Sequence, residues 1–465
     1  MRANMRFGIK AAATLIVFIS MAFSACNLPG TGSDSDPQDQ QQDVSTDYFT
    51  DQGFGNPLGY IQLPCAEYYK GVTYVAFQGS HEDAYVCSYN HDKQQWTGPI
   101  LAGVSMMGKT PDPVDNDQVD NHGRPALVVD NEGYIHLCFG GHGGYEWLGE
   151  NQFGRPGKGK QTHVVSKQPE DISEWKELED VSPFGTYNQF IKMDNGDIYL
   201  FYRHGSHKSD WVYQKSTDNG RTFKKEVPVL KSKLLADSNT HDAWYAQFSK
   251  GPDHTIMCMC VYHACAEVDH STLRENVYYM RMDCADGSWK NAVGELLNMP
   301  LTKEDADIKT LVFDSKGQPT NHGICRFDLL GNPHVIFRFN RNRFWYTQWI
   351  NDHWQDPVQV TNADMTGQFA DMIIQSPSVI NMVISGSRLG GGGEVGWWYT
   401  NSTGLSWEKA GSVITSSTAD YRIGVLTRNY HPDGKIFFFE RDPNTPHLYR
   451  KIFLWGENGF VKRNR

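Results

Sequence analysis

The chain has 465 residues, 39% apolar and 13% aromatic, a composition that excludes a disordered polypeptide because such chains lack the aromatic side chains of a core. Its 44 glycines and 21 prolines suit a fold rich in turns. A formal charge of -11 excludes a general nucleic-acid binder, since neutralising phosphates takes a broad basic surface; any polyanionic partner must meet a local basic patch.

In chain order, residues 1–26 come first. Arg2, Arg6 and Lys10 precede an apolar run from Ala11 to Phe23, which closes on Phe23-Ser24-Ala25-Cys26. The run is too short to span a bilayer stably, and the pattern predicts an export leader. Small residues directly before a cysteine fit a bacterial lipoprotein processing site. Cys26 is therefore expected to be acylated, leaving an exported chain attached to the outer membrane or cell surface; an ordinary secretory leader is the alternative. Residues 27–47, rich in Gly, Ser, Asp and Gln, predict a flexible tether. Residues 48–465 are expected to form one catalytic domain. Export permits disulfides among the eight remaining cysteines, but Cys138, Cys258 and Cys260 sit in apolar runs that predict buried free thiols.

Within that domain one pattern recurs: a short apolar run, a turn of Asp, Asn, Gly or Pro, then a stronger apolar run. Seven copies start at Glu67, Ala126, Phe190, Gln247, Ile324, Met372 and Val425. Their turns fall near Gly71, Gly133, Gly196, Asp253, Gly331, Ser378 and Gly434, a spacing of about 60 residues that fits a four-stranded blade with loops. Amphipathic helical periodicity is scarce. The prediction is an all-β chain folded as a seven-bladed β-propeller. Ser216 to Phe223 (STDNGRTF) match the Asp-box turn of sialidase-like propellers, and Thr400 to Trp407 match it more weakly. Such turns are structural, with Asp and Ser/Thr satisfying hairpin backbone.

In an antiparallel hairpin the start of the first strand and the end of the second share an edge. That rule collects His122, Tyr187, Tyr245 and His322 before the first strands, and His142, Arg203, His263 and Arg338 after the second. Four successive blades thus offer imidazoles, phenols and guanidiniums to one mouth. Any single one is as easily a hydrogen-bonded loop residue, but eight at equivalent places predict a site. Asp and Glu are thin at these positions, which argues against two-carboxylate glycoside hydrolysis, and no serine nucleophile is evident. His and Tyr beside Arg suit proton abstraction next to a carboxylate: Arg neutralises the acid, a base removes the α-proton, and a phenol protonates the leaving oxygen. On a uronic-acid polymer that reaction is β-elimination.

The segments DNHGRPALVVDNEGYIHLCFGGHGG, FGTYNQF and LFYRHGSH resemble the seven-bladed propeller ulvan lyases of polysaccharide lyase family 25, with family 24 a more distant relative. The resemblance is strongest from Asp120 to Cys265. It implies cleavage of ulvan, an anionic sulfated polymer of rhamnose and uronic acid, with His122 and Tyr187 as the catalytic pair and Arg203 neutralising the carboxylate. It also implies that His142 and Tyr245 line the substrate cleft, where Arg338 is a further cation. Which of His122 and Tyr187 is base and which acid stays open, because the C5 proton lies on opposite faces of glucuronate and iduronate. His207, His263 and Cys265 resemble the zinc site of these lyases; His263 and Cys265 share a strand face, and imidazole and thiolate suit zinc. Asp269 and His270 are candidates for the fourth ligand. The metal is expected to be structural, no organic cofactor is expected, and the chain is expected to be a monomer.

Two local patterns mislead. Gly154 to Lys160 (GRPGKGK) nearly spells a phosphate-binding loop, but Gln161 stands where Ser/Thr is needed and no helix pattern follows. Arg338, Arg341 and Arg343 lie among aromatics, where solvated strand arginines are the ordinary case. Two other functions compete. A sialidase-like hydrolase is suggested by the Asp-box match and by Arg124-Pro125, but would need three convergent arginines. A surface glycan-binding lectin would show no turnover.

Overall fold

All seven predicted hairpins form. In the computed structural model, which describes residues 48–107, 119–232, 242–264, 274–340, 343–361, 365–442 and 449–463, each hairpin supplies the first two strands of a separate antiparallel sheet. The predicted leader and tether, with Cys26, lie outside the described residues, as do Cys265, Asp269, His270 and Arg341.

The second blade shows the common plan. Ala126–Val129, Ile135–His142, Lys158–Ser166 and Trp175–Leu178 pair in sequence order, each antiparallel to the next. The third blade repeats it with Gly185–Lys192, Ile198–His204, Trp211–Ser216 and Val227–Leu230. The fourth opens with Asp242–Lys250, Thr255–Ala264 and Arg274–Asp283, and the fifth with Thr320–Phe327 and Pro333–Phe339. Second strands are sandwiched between neighbouring blades and so are buried on both faces. Ile198–His204 is buried at every position, which explains why such strands open on an unbroken apolar run, here Ile198 to Tyr202, rather than alternating. Blade meets blade through stacked side chains such as Phe201 and Phe248, whose rings lie 3.9 Å apart.

The ring closes by joining the two ends of the chain. The seventh sheet takes Asp420–Leu426, Ile436–Arg441 and Arg450–Gly456 from the C-terminal part and Thr50–Gly53 from the N-terminal part. This pairing seals what would otherwise be an open edge.

Turns are fixed by side chains. Asp130 accepts the backbone N–H groups of Glu132 and Tyr134, both at 2.8 Å, while its other oxygen lies 3.6 Å from His136. Asp328 repeats the device with Leu330, Asn332 and His334. In the turn after Trp211–Ser216, Ser216 accepts the N–H of Gly220 and Asp218 accepts that of Thr222. The seven described cysteines, Cys138, Cys258 and Cys260 among them, are buried free thiols.

Candidate active site

The register brings the predicted set to one rim. Thr186 pairs with Arg203, Ala243 with His263, and Asn321 with Arg338, so first-strand starts and second-strand ends meet as expected. A bulge between Thr186 and Gln189 adds a feature that no local pattern signals. It carries Tyr187 into the left-handed region at φ +65°, a conformation that costs a bulky residue of order 1–3 kcal/mol and re-aims its side chain. A similar bulge between Asn321 and Gly323 displaces His322.

Tyr187 lies at the centre. Its ring is 5.4 Å from that of His122 and 5.8 Å from that of Tyr245, and it stacks parallel to Trp211 at 6.3 Å. The Arg203 guanidinium sits 4.9 Å from the Tyr187 ring centroid and 6.0 Å from that of Tyr245. Arg203 is wholly buried. Its Nε donates to the Gly205 carbonyl at 3.3 Å, while Nη1 and Nη2 have no hydrogen-bond partner among the described residues. A buried cation with an unmatched fork is costly unless an anion completes it, and a carboxylate fits that fork with two parallel bonds.

Beyond Tyr245 the rim continues with Arg274, 4.3 Å from the Tyr245 ring, and with His322 and His263 at 4.8 and 5.5 Å. Burial, helped by the charges of Arg274, Arg338 and His263, holds His322 well below the ordinary imidazole range. Arg338 is itself buried and donates to the Gly367 carbonyl at 3.4 Å. The ring of His207 lies 5.9 Å from that of His263. Arg124, by contrast, donates to the Leu58 carbonyl at 2.9 Å and packs over Tyr60, which makes it a structural residue rather than one of a convergent arginine set.

Two carboxylates nonetheless reach this rim from outside the strand ends. Asp120, buried, accepts from His122 Nδ1 at 2.6 Å and from His142 Nδ1 at 2.7 Å, with Lys158 at 3.1 Å. The two imidazoles stack at 3.7 Å and 9°. Glu82, also buried, accepts the Asp120 backbone N–H at 2.9 Å, and burial pushes its carboxyl up to about 7. Both acids belong to one packed cluster and do not flank a cleft as a glycosidase pair does. Asp120 lies only two residues before His122. Lys158 and Arg274 begin third strands, which start at the rim where second strands end, so extending the hairpin rule by one strand finds both.

Burial lowers the His122 imidazole to about 4, with the charges of His142 and Arg203 adding to the effect against the pull of Asp120. Burial also lifts the Tyr187 phenol well above its ordinary value, the neighbouring Tyr245 and Tyr60 reinforcing it. Near neutral pH the rim thus holds a neutral imidazole, a protonated phenol and a buried guanidinium side by side.

Comparison with known proteins places this rim in context. Residues 72–362 match a family model described as a BNR repeat-containing family member. An ulvan lyase of Nonlabens ulvanivorans is 42% identical over 444 residues, covering 92% of this chain and 93% of its own. An ulvan lyase of Alteromonas sp. (strain LOR) is 36% identical over 460 residues, covering 96% of this chain and 93% of its own. Among solved structures, a polysaccharide lyase PL25 ulvan lyase bound to -[GlcA(1-4)Rha3S]- superposes with a TM-score of 0.84 at 36% identity, covering 90% of this chain and 97% of that one.

Proposed function

The chain belongs to the ulvan lyase family, and from that premise we propose that it cleaves ulvan by β-elimination at the uronate, leaving 4,5-unsaturated uronyl ends. The observation that carries the chemistry is the buried Arg203 fork beside Tyr187 and His122. In the proposed step Arg203 grips the uronate carboxylate and stabilises the charge that builds as C5 loses its proton. His122, neutral, accepts that proton. The C5–H electron pair forms the C4=C5 double bond, the C4–O4 bond breaks, and the Tyr187 hydroxyl protonates the departing O4. Resting protonation states favour this division of roles, since the imidazole is already a base and the phenol already an acid. We assign His142, Tyr245 and Arg338 to substrate binding beside these three. Supplying ulvan and following the ultraviolet absorbance of an unsaturated uronate tests the assignment; an unchanged spectrum counts against it.

The roles also set a pH dependence. His122 works only unprotonated, so kcat/KM should hold from neutrality downward and fall as pH drops through about 4. Tyr187 works only protonated, and its raised pKa keeps the alkaline limb above the ordinary phenol range. An acid limb centred near 6.5, the ordinary histidine value, would contradict the role given to His122.

For the metal, the support is that His207 and His263 from adjacent blades lie with rings 5.9 Å apart, with Cys265 two residues beyond His263. We read these three as ligands of a structural zinc that ties two blades together, with Asp269 or His270 as its fourth ligand. Protein purified without chelator should contain zinc by elemental analysis. Chelation, or Cys265→Ser, should lower Tm before it reduces turnover at saturating substrate. Protein free of metal would refute the reading. Export with lipid attachment through Cys26 rests on the leader's residue pattern alone.

A further inference from the structure

We propose that Asp120 is the positioning residue that fixes the tautomers of His122 and His142 together. The inference deepens the reading of His122 as the base and rests on it for the rate effect, but the tautomers themselves follow from geometry. Asp120 is 8% exposed and faces four groups: His122 Nδ1 on Oδ1, His142 Nδ1 on Oδ2, Lys158 on Oδ2, and Glu82, which holds its backbone N–H. The His122 backbone N–H also donates to Oδ1 at 3.0 Å. Burial alone would favour the neutral acid, but hydrogen bonds from the two imidazoles hold Asp120 well below the ordinary carboxylate range. An ionised carboxylate accepts and cannot donate. Each Nδ1 at 2.6 and 2.7 Å must therefore carry its proton, which leaves Nε2, at the opposite edge, as the only ring nitrogen able to hold a lone pair.

One carboxylate so placed does two things. It makes Nε2 of His122 the accepting atom for the C5 proton, and it holds His142 against His122 at stacking distance, where a second positive ring would be repelled. The same Asp120 anion also steadies the His122 imidazolium that forms once the proton has moved.

Asp120→Asn is the discriminating variant. An amide has one accepting oxygen and one donating NH2, so it can take the Nδ1 proton of only one ring. Its NH2 then needs the other ring's Nδ1 as an acceptor, which forces that ring into the Nε2–H form. In 15N spectra of histidine-labelled protein, with signals assigned by their loss in His122→Ala and His142→Ala, the wild type should show Nδ1–H on both rings and the variant on one. With ulvan, kcat of the variant should fall by about two decades or more while KM moves only a few-fold, as when an orienting carboxylate is lost and a tautomer misassigned. Wild-type rings protonated on Nε2 would overturn the proposal without any variant having to fold. Two Nδ1–H rings with unchanged kcat in Asp120→Asn would overturn it as well. The spectra need no substrate, so a wild type inactive on ulvan would count against the proposed reaction and leave the tautomer assignment standing.

Discussion

Tyr187→Phe is expected to lose nearly all turnover on ulvan while keeping the fold. The change deletes one hydroxyl from a side chain that is 2% exposed, and the ring still stacks on Trp211 and still underlies Arg203. What disappears is the proton for the leaving O4. Loss of a general acid or base typically lowers rate about 10²- to 10⁴-fold, and His122→Ala should lose a similar amount because it removes the imidazole whose ring lies 5.4 Å from that of Tyr187. The measurement is single-substrate kinetics on both variants with Tm as the control for folding. Near wild-type turnover in either, with Tm unchanged, would remove that residue from the chemistry.

Arg203→Lys should be nearly as damaging although it keeps the positive charge. The guanidinium has two nitrogens left unmatched among the described residues, in the geometry that meets a carboxylate with two parallel bonds, and an ammonium reproduces neither the second bond nor the guanidinium's contact with the Tyr187 ring. Because charge on the carboxylate grows as C5 is deprotonated, the lost interaction is stronger in the transition state than in the bound substrate. The loss should therefore fall on kcat, by about 10²-fold, as well as on KM. A variant with raised KM and intact kcat would make Arg203 a uniform binding contact and shift the neutralising role to another rim cation, Arg274 or Arg338.

Much of this architecture was legible because a propeller repeats a short-range object. Each blade begins with a hairpin whose turn chemistry is local, and whose second strand, buried on both faces, is largely apolar; the run Ile198 to Tyr202 (IYLFY) is a plain example. Hairpin geometry alone then carried Tyr187, Arg203, Tyr245, His263, His322 and Arg338 to one rim. Closure of the ring was not legible in the same way. Thr50–Gly53 pairs with Arg450–Gly456, and a partnership across nearly the whole chain leaves no local trace. Nor does the bulge that turns Tyr187 to φ +65°, since the residue is neither Gly nor Asn and nothing nearby announces a break in register.

Asp120 was the least legible of the site residues. It belongs to the loop before Ala126–Val129 and not to a strand end, and its importance comes from where His142, Lys158 and Glu82 arrive from other strands and from the neighbouring blade. Chemistry assembled from several chain segments becomes visible only once the register is known. The proposed zinc ligands illustrate the converse: His207 and His263 do approach each other, and the pattern that nominated them extends to Cys265 and His270, outside the described residues.

The central claim is that the glycosidic bond breaks by elimination, and mass spectrometry of ulvan digests made in heavy-oxygen water tests it most directly. Elimination takes a proton from C5 and adds no water, so the account predicts new uronyl ends that lack the elements of water, absorb in the ultraviolet and carry no solvent oxygen. Ends that have gained a heavy oxygen and show no unsaturation would mean hydrolysis, and would contradict the roles given to His122, Tyr187 and Arg203 together.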